Sequence, residues 1–175
     1  FKNVYLRDYR REVGEVYEAD RAQAASEEEI PAWYNQTYSM VTFIEEGHGG
    51  ILNVSANVFV DPGGAHPHQW SQWLNYDFET GKRLTAAEVF LPSARKDIEQ
   101  LLLAKLVRQQ ASLNPEEKVE TVEDLNRLGF LQLTSMYIPE NFLLSRKGLL
   151  FLFNRYDIAP YAAGEIVIEV PYEEI

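Results

Sequence analysis

Along the first segment, Phe1, Val4, Tyr5, Tyr9, Val13, Val16 and Tyr17 recur at steps of three and four, with Lys2, Arg7, Arg10, Arg11 and Glu18 between them. That spacing predicts an amphipathic helix reaching about Ala24. Ser26 to Ile30 has the form of a helix cap, but Pro31 follows so closely that only one turn could form, so the stretch reads as a connector. From Tyr34 the period changes to two. Thr37 to Glu45 is rich in β-branched and aromatic residues, and Leu52, Val54, Ala56, Val58 and Val60 alternate with Asn53, Ser55, Asn57 and Phe59. Gly47-His48-Gly49-Gly50 supplies the hairpin between these two strands. Asp61-Pro62-Gly63-Gly64 ends the second one, with Gly63 and Gly64 as structural turn residues. His68 to Phe78 reads as a third strand, with Trp70, Leu74, Tyr76 and Phe78 on one face and Trp73 on the other, closed by Glu79-Thr80-Gly81-Lys82. Three successive strands joined by tight turns make an antiparallel meander.

The pattern then turns helical. Thr85-Ala86-Ala87-Glu88 is a capping box, and its short helix stops at Pro92. Ser93 is expected to cap a longer helix with Ile98, Leu101, Leu102, Leu106 and Val107 on its apolar face, ended by Asn114-Pro115. Thr121 to Leu128 is helical again, with Gly129 as its stop. The remainder returns to strand: Phe142 to Ser145, a turn at Arg146-Lys147-Gly148, Leu149 to Tyr156, a loop from Asp157 to the turn residue Gly164, and Ile166 to Val170. The predicted class is α+β: a mainly antiparallel sheet, meander plus C-terminal hairpin and strand, with helices packed on one side.

Length and charge narrow the functions. At 175 residues the chain is expected to form a single domain over 1–175. The net charge of −11 disfavours nucleic acid, whose phosphates need clustered Lys and Arg, and points to a cationic partner. Without cysteine there can be no disulfide, thiol nucleophile or thiolate-held cluster. The longest apolar run, Gly148 to Phe153, is far below the ~18 residues of a membrane span. Beginning at Phe1 inside a helical pattern, the chain is expected to be a trimmed piece of a longer precursor. No cofactor is expected, and these features do not set the oligomeric state.

Catalytic signatures are sparse. There is no phosphate loop, nucleophile elbow or His-Glu-x-x-His helix. His66-Pro67-His68, completed by His48 or Asp77, could ligate a metal, but a structural site needs about four ligands and only two are close in sequence. The expectation is therefore no metal, with His66 ordering a bend. Asp157 and Glu165 flank the last loop as a carboxylate pair, though among 27 acidic residues such pairs arise by chance. Aromatic residues are more informative. Trp70, Trp73, Tyr76, Tyr156, Tyr161 and Tyr172 lie on or beside strands, where an exposed few would suit a protein or glycan contact. Asn35-Gln36-Thr37 and Asn53-Val54-Ser55 fit the glycosylation sequon, the second within a strand.

Two blocks carry a resemblance. The first is Asp61-Pro62-Gly63-Gly64-Ala65-His66, followed by Leu74-Asn75-Tyr76-Asp77-Phe78-Glu79-Thr80-Gly81-Lys82-Arg83-Leu84-Thr85 and Glu88-Val89-Phe90. The second is Phe142-Leu143-Leu144 to Leu149-Leu150-Phe151-Leu152-Phe153, then Tyr156-Asp157-Ile158-Ala159-Pro160-Tyr161-Ala162-Ala163-Gly164 and Val170-Pro171-Tyr172. In this order they resemble a bacterial domain of unknown function, seen in RsiV-type lysozyme-sensing anti-sigma ectodomains and beside the catalytic domain of PdaC-type peptidoglycan deacetylases. The similarity covers residues 37–175 as the family core, with 1–36 as the helix and connector of a preceding half-domain. It implies an extracytoplasmic cell-envelope domain, periplasmic, lipoprotein-borne or secreted, that binds rather than catalyses, with lysozyme as a candidate basic partner. Candidate contact residues are Trp73, Tyr156, Asp157, Tyr161 and His66. The alternative is a metal- or carboxylate-dependent hydrolase acting on peptidoglycan or another glycan. His68 and Trp70 stand outside the shared pattern.

Overall fold

The computed structural model describes residues 2–24, 26, 37–61, 67–129 and 135–175. The elements run α1 (Lys2–Arg21), β1 (Thr37–Glu46), β2 (Ile51–Asp61), β3 (His68–Asp77), β4 (Arg83–Leu84), α2 (Ala86–Val89), α3 (Arg95–Leu113), α4 (Val122–Arg127), β5 (Phe142–Leu144), β6 (Gly148–Phe153) and β7 (Ile166–Pro171). Short 3-10 turns occupy Tyr161–Ala163 and Tyr172–Glu174. The class is α+β, as the alternation of periods implies.

The strands form two sheets rather than one. The meander makes a four-stranded sheet in the order β1-β2-β3-β4, and the C-terminal strands make a separate three-stranded sheet, β5-β6-β7. The physical reason lies at the edge of β3 away from β2: there it pairs with β4 only at Asn75 and Tyr76, and at Ser71 and Trp73 side-chain amides rather than a further strand satisfy its backbone.

The chain divides into two compact units, Phe1–Ser39 with Phe59–Gln69, and Met40–Val58 with Trp70–Ile175. In the first, α1 keeps Val13 and Tyr17 half-buried and exposes Arg10, Arg11, Glu12 and Glu15. Val16, expected on its apolar face, is exposed.

In the second unit the three-stranded sheet carries the core. Register pairs Phe142 with Phe151, Phe151 with Ile168, Leu149 with Val170 and Phe153 with Ile166. β7 alternates strictly, burying Ile166, Ile168 and Val170 and exposing Val167 and Glu169. This face packs in one cluster with Ile98, Leu102 and Leu106 of α3 and Leu125 of α4. Phe90, just past α2, stacks on Phe142 and Phe151 with ring centroids 5.1 and 5.7 Å away. Each such side chain contributes roughly 1.5–3 kcal/mol on burial.

Local stops follow the chemistry of the ends. Glu88 accepts from the Thr85 N–H and hydroxyl at 3.0 and 2.9 Å, closing the capping box. Those bonds and Lys82 hold the Glu88 carboxyl down at about 2, the Lys82 contact first among them. Thr121 and Asp124 form the same device at α4. Ser93 does not cap α3. The Ala94 N–H bonds the Leu91 carbonyl, so a turn through Pro92 and Ser93 precedes the helix and Ala94 takes the cap position. Phe78, expected on the apolar face of β3, lies past the strand end with 73% of its surface exposed. β6 stops at Phe153 instead of Tyr156, because residues 154–157 close a turn. The connector at 27–36 and the turn at Pro62 to His66, including Gly63 and Gly64, lie outside the described residues.

Candidate functional site

Strand β3 alternates in an unexpected sense. On the Trp73 face its neighbours Ser71 and Asn75 are buried and polar, so every donor and acceptor there needs a partner. Asparagines provide them. Asn154 accepts from the Ser71 N–H at 2.8 Å and donates to the Ser71 carbonyl at 3.0 Å, while Asn141 accepts from the Trp73 N–H at 3.1 Å. In the reverse direction, Asn75 donates to the Phe142 carbonyl at 2.8 Å and accepts from the Leu144 N–H at 2.9 Å. Each amide imitates one peptide of a missing strand, and together they clamp the two sheets. The Ser71 hydroxyl meets Glu165 at 2.9 Å and Asn57 at 3.0 Å.

This clamp fixes the loop that follows β6. The Asn154 N–H donates to the Asp157 carboxylate at 2.8 Å, and the Asp157 N–H returns to the Asn154 carbonyl at 3.0 Å. Closing the turn this way forces Tyr156 to φ 70°, a left-handed conformation that a bulky residue rarely adopts. Its ring is thrown outward and is 68% exposed. Tyr161, 47% exposed, faces it at a centroid distance of 5.8 Å. The Arg155 guanidinium lies 5.2 Å over the Tyr161 ring, and its Nη1 is buried without a hydrogen-bond partner. The ring face thus supplies part of the compensation that an acceptor would otherwise give. Tyr137 completes the group: it stands edge-on to Phe153 at 5.5 Å, and burial, reinforced by the Asp157 charge, raises its phenol pKa. Gly164 closes the loop at φ 72° with its N–H on the Tyr161 carbonyl.

The arrangement is a ledge of exposed phenol rings on a backbone with little freedom, suited to burying area against a partner at low entropic cost. Sequence reasoning singled out Tyr156, Asp157 and Tyr161, and they are brought together here. It missed Arg155 and Tyr137. Arg155 could have been suspected from its place between Asn154 and Tyr156, whereas Tyr137 lies in an irregular segment with no periodic signal.

The other candidates lie apart in their bonding. Trp73 is half-buried within the amide clamp. His66 is outside the described residues, His68 is exposed at the start of β3, and His48 packs its ring on Tyr172 at 4.7 Å. Asp77 accepts from the Thr80 N–H and hydroxyl, both at 2.7 Å, which lower its pKa. Glu165 accepts from the Ser71 hydroxyl, and Asp157 accepts from the Asn154 N–H within its own turn. Among the described residues no three His, Asp or Glu side chains gather as a metal group. Asn53 is buried in β2 and donates to the Leu144 carbonyl at 3.3 Å, which leaves no room for a glycan. An apolar groove of about 500 Å³, lined by Leu103, Val107, Ala111, Val119 and Val122, shares no residue with the ledge.

Comparison with known proteins bears on this geometry. The model of the family described as protein of unknown function DUF3298 matches residues 87–173, a span that takes in the core cluster of the second unit except Ala86, the clamp asparagines Asn141 and Asn154, and the ledge. A DUF3298 member from Bacteroides fragilis has a similar crystal structure, with 27% identity, a TM-score of 0.74 and coverage of 98% of this chain and 64% of that one. A DUF3298 protein from Pseudomonas aeruginosa is similar in fold, with 19% identity, a TM-score of 0.57 and coverage of 78% and 60%. The chain therefore spans less than two thirds of either relative. No curated protein matches it.

Proposed function

The chain belongs to the DUF3298 family, and from that premise we propose that it is an extracytoplasmic, non-enzymatic binding module whose partner is a basic protein such as a lysozyme. The observation that carries the reading is the exposed Tyr156–Tyr161 pair, held on a turn whose geometry its own hydrogen bonds dictate. Rigid aromatic ledges of this kind serve as anchors at protein interfaces. Net charge of −11 supports the choice of a cationic partner, since it accelerates encounter with basic proteins and slows encounter with acidic ones. The resemblance to lysozyme-sensing ectodomains supports both the partner and the compartment.

Titration of the purified chain with lysozyme, at low and physiological salt, tests this. Binding weakens with salt but persists, and Tyr161→Ala raises Kd by about tenfold, the equivalent of ~1.4 kcal/mol. A second basic protein of similar charge binds more weakly and does not respond to Tyr161→Ala. No lysozyme binding at low salt, or equal binding of both basic proteins in wild type and variant, rejects the reading.

A further inference from the structure

We infer that the outer edge of β1 is a self-association surface, on which β1 of a second copy pairs antiparallel about a two-fold axis through Thr42. Among the described residues β1 is an edge strand of the four-stranded sheet and no strand pairs with its outer side. Edge strands are ordinarily blunted by Lys, Pro, bulges or brevity. β1 is ten residues long with neither Lys nor Pro, and its charges stand only at its end, Glu45 and Glu46. Apolar side chains are exposed on both of its faces: Val41 at 50%, Phe43 at 52% and Ile44 at 64%.

The occupant follows from register. Residues directly opposite in an antiparallel pair share a sheet face, so a two-fold pairing must be centred on a residue for the faces of the two sheets to continue into each other. Centring on Thr42 sets Val41 against Phe43 and Met40 against Ile44, with Glu45 facing Ser39 and Glu46 facing Tyr38. Apolar residues meet apolar ones, and no two carboxylates are opposed. Moving the centre to Phe43 places Glu45 against Val41 and Glu46 against Met40, and moving it to Val41 places Phe43 against Ser39. Glu46 is moreover paired with Arg146 of its own chain, which reduces the repulsion at the ends of the seam. A partner of unrelated sequence would have no reason to match this order. Two chains of −11 still repel at long range, so the dimer tightens as salt is added.

The test uses sedimentation from micromolar to several hundred micromolar protein at low and physiological salt, with cysteine cross-linking. Because the chain has no cysteine, Thr42→Cys supplies a sole thiol. Across the proposed axis its Cα atoms lie about 4.5–5.5 Å apart, within disulfide reach, whereas the thiols of Ile44→Cys are separated by roughly 14 Å along the strands. The expected results are a salt-strengthened dimer, rapid oxidative cross-linking of Thr42→Cys, slow cross-linking of Ile44→Cys, and a several-fold weaker dimer in Thr42→Glu with an unchanged circular dichroism spectrum. A monomer throughout the concentration range overturns the proposal. So does a dimer in which Ile44→Cys cross-links as fast as Thr42→Cys, or one that Thr42→Glu leaves intact. A monomer whose β1 amides become protected from exchange only on addition of a basic protein assigns the edge to that partner instead.

Discussion

Tyr156 holds an unfavourable backbone conformation and an exposed ring at the same position, so stability and binding should respond to it in opposite directions. At φ 70° a side chain with a Cβ costs on the order of 1–2 kcal/mol relative to glycine. Tyr156→Gly is therefore expected to raise stability by about 1 kcal/mol in chemical denaturation, allowing for the entropy glycine regains on unfolding. The same variant removes half of the ring pair and should weaken lysozyme binding by a factor comparable to Tyr161→Ala. A variant that is less stable than wild type would show that the exposed ring contributes more to the fold than the strain costs. The sequence announced the tyrosine but not its dihedral. The angle is set by the mutual bonds of Asn154 and Asp157, two residues whose turn-forming tendency is visible locally but whose effect on the residue between them is not.

At the level of elements, the asparagine clamp separates what periodicity reveals from what it hides. Asn75 is 1% exposed, and its amide engages both the Phe142 carbonyl and the Leu144 N–H. Asn75→Ala leaves those two groups buried without partners and opens a small cavity, so a loss of about 2–4 kcal/mol is expected in urea denaturation. Asn75→Asp should also destabilise, because a carboxylate accepts from Leu144 but repels the Phe142 carbonyl. If both variants unfold at the wild-type midpoint, the clamp does not hold the sheets. None of this was legible beforehand, since an asparagine at an alternate strand position reads as a solvent-facing residue. By contrast β7, β6 and α3 were readable, because Ile166, Ile168 and Val170 at period two and Ile98, Leu102 and Leu106 at period four obey the simple rule of one apolar face. The separation into two sheets escaped the same rule. Periodicity marks a strand and its buried side, but which distant strand completes its edge depends on contacts such as Asn141 to Trp73, some 68 residues apart.

For the whole molecule, charge makes salt act with different signs on different properties. The ion pairs within the second unit, such as Lys82–Glu88 and Arg127–Asp124, have largely solvent-exposed cations and so add little to stability. Against them stands an uncompensated charge of −11, whose self-repulsion favours expansion. Raising ionic strength from about 0.01 to 0.15 M shortens the screening length from ~30 to ~8 Å, a change felt more by diffuse repulsion than by close pairs. Thermal stability should therefore rise with salt, by roughly 2–4 °C for each kcal/mol of relieved repulsion in a chain of this size. Under the same titration the affinity for lysozyme should fall, because attraction between opposite charges is screened, while pairing through β1 should strengthen. A melting temperature that drops as sodium chloride is added would mean that the close ion pairs outweigh the net charge. The electrostatic arguments for the basic partner and for the salt-tightened dimer would then lose their common footing, and the tyrosine ledge and the β1 register would have to stand on their contacts alone.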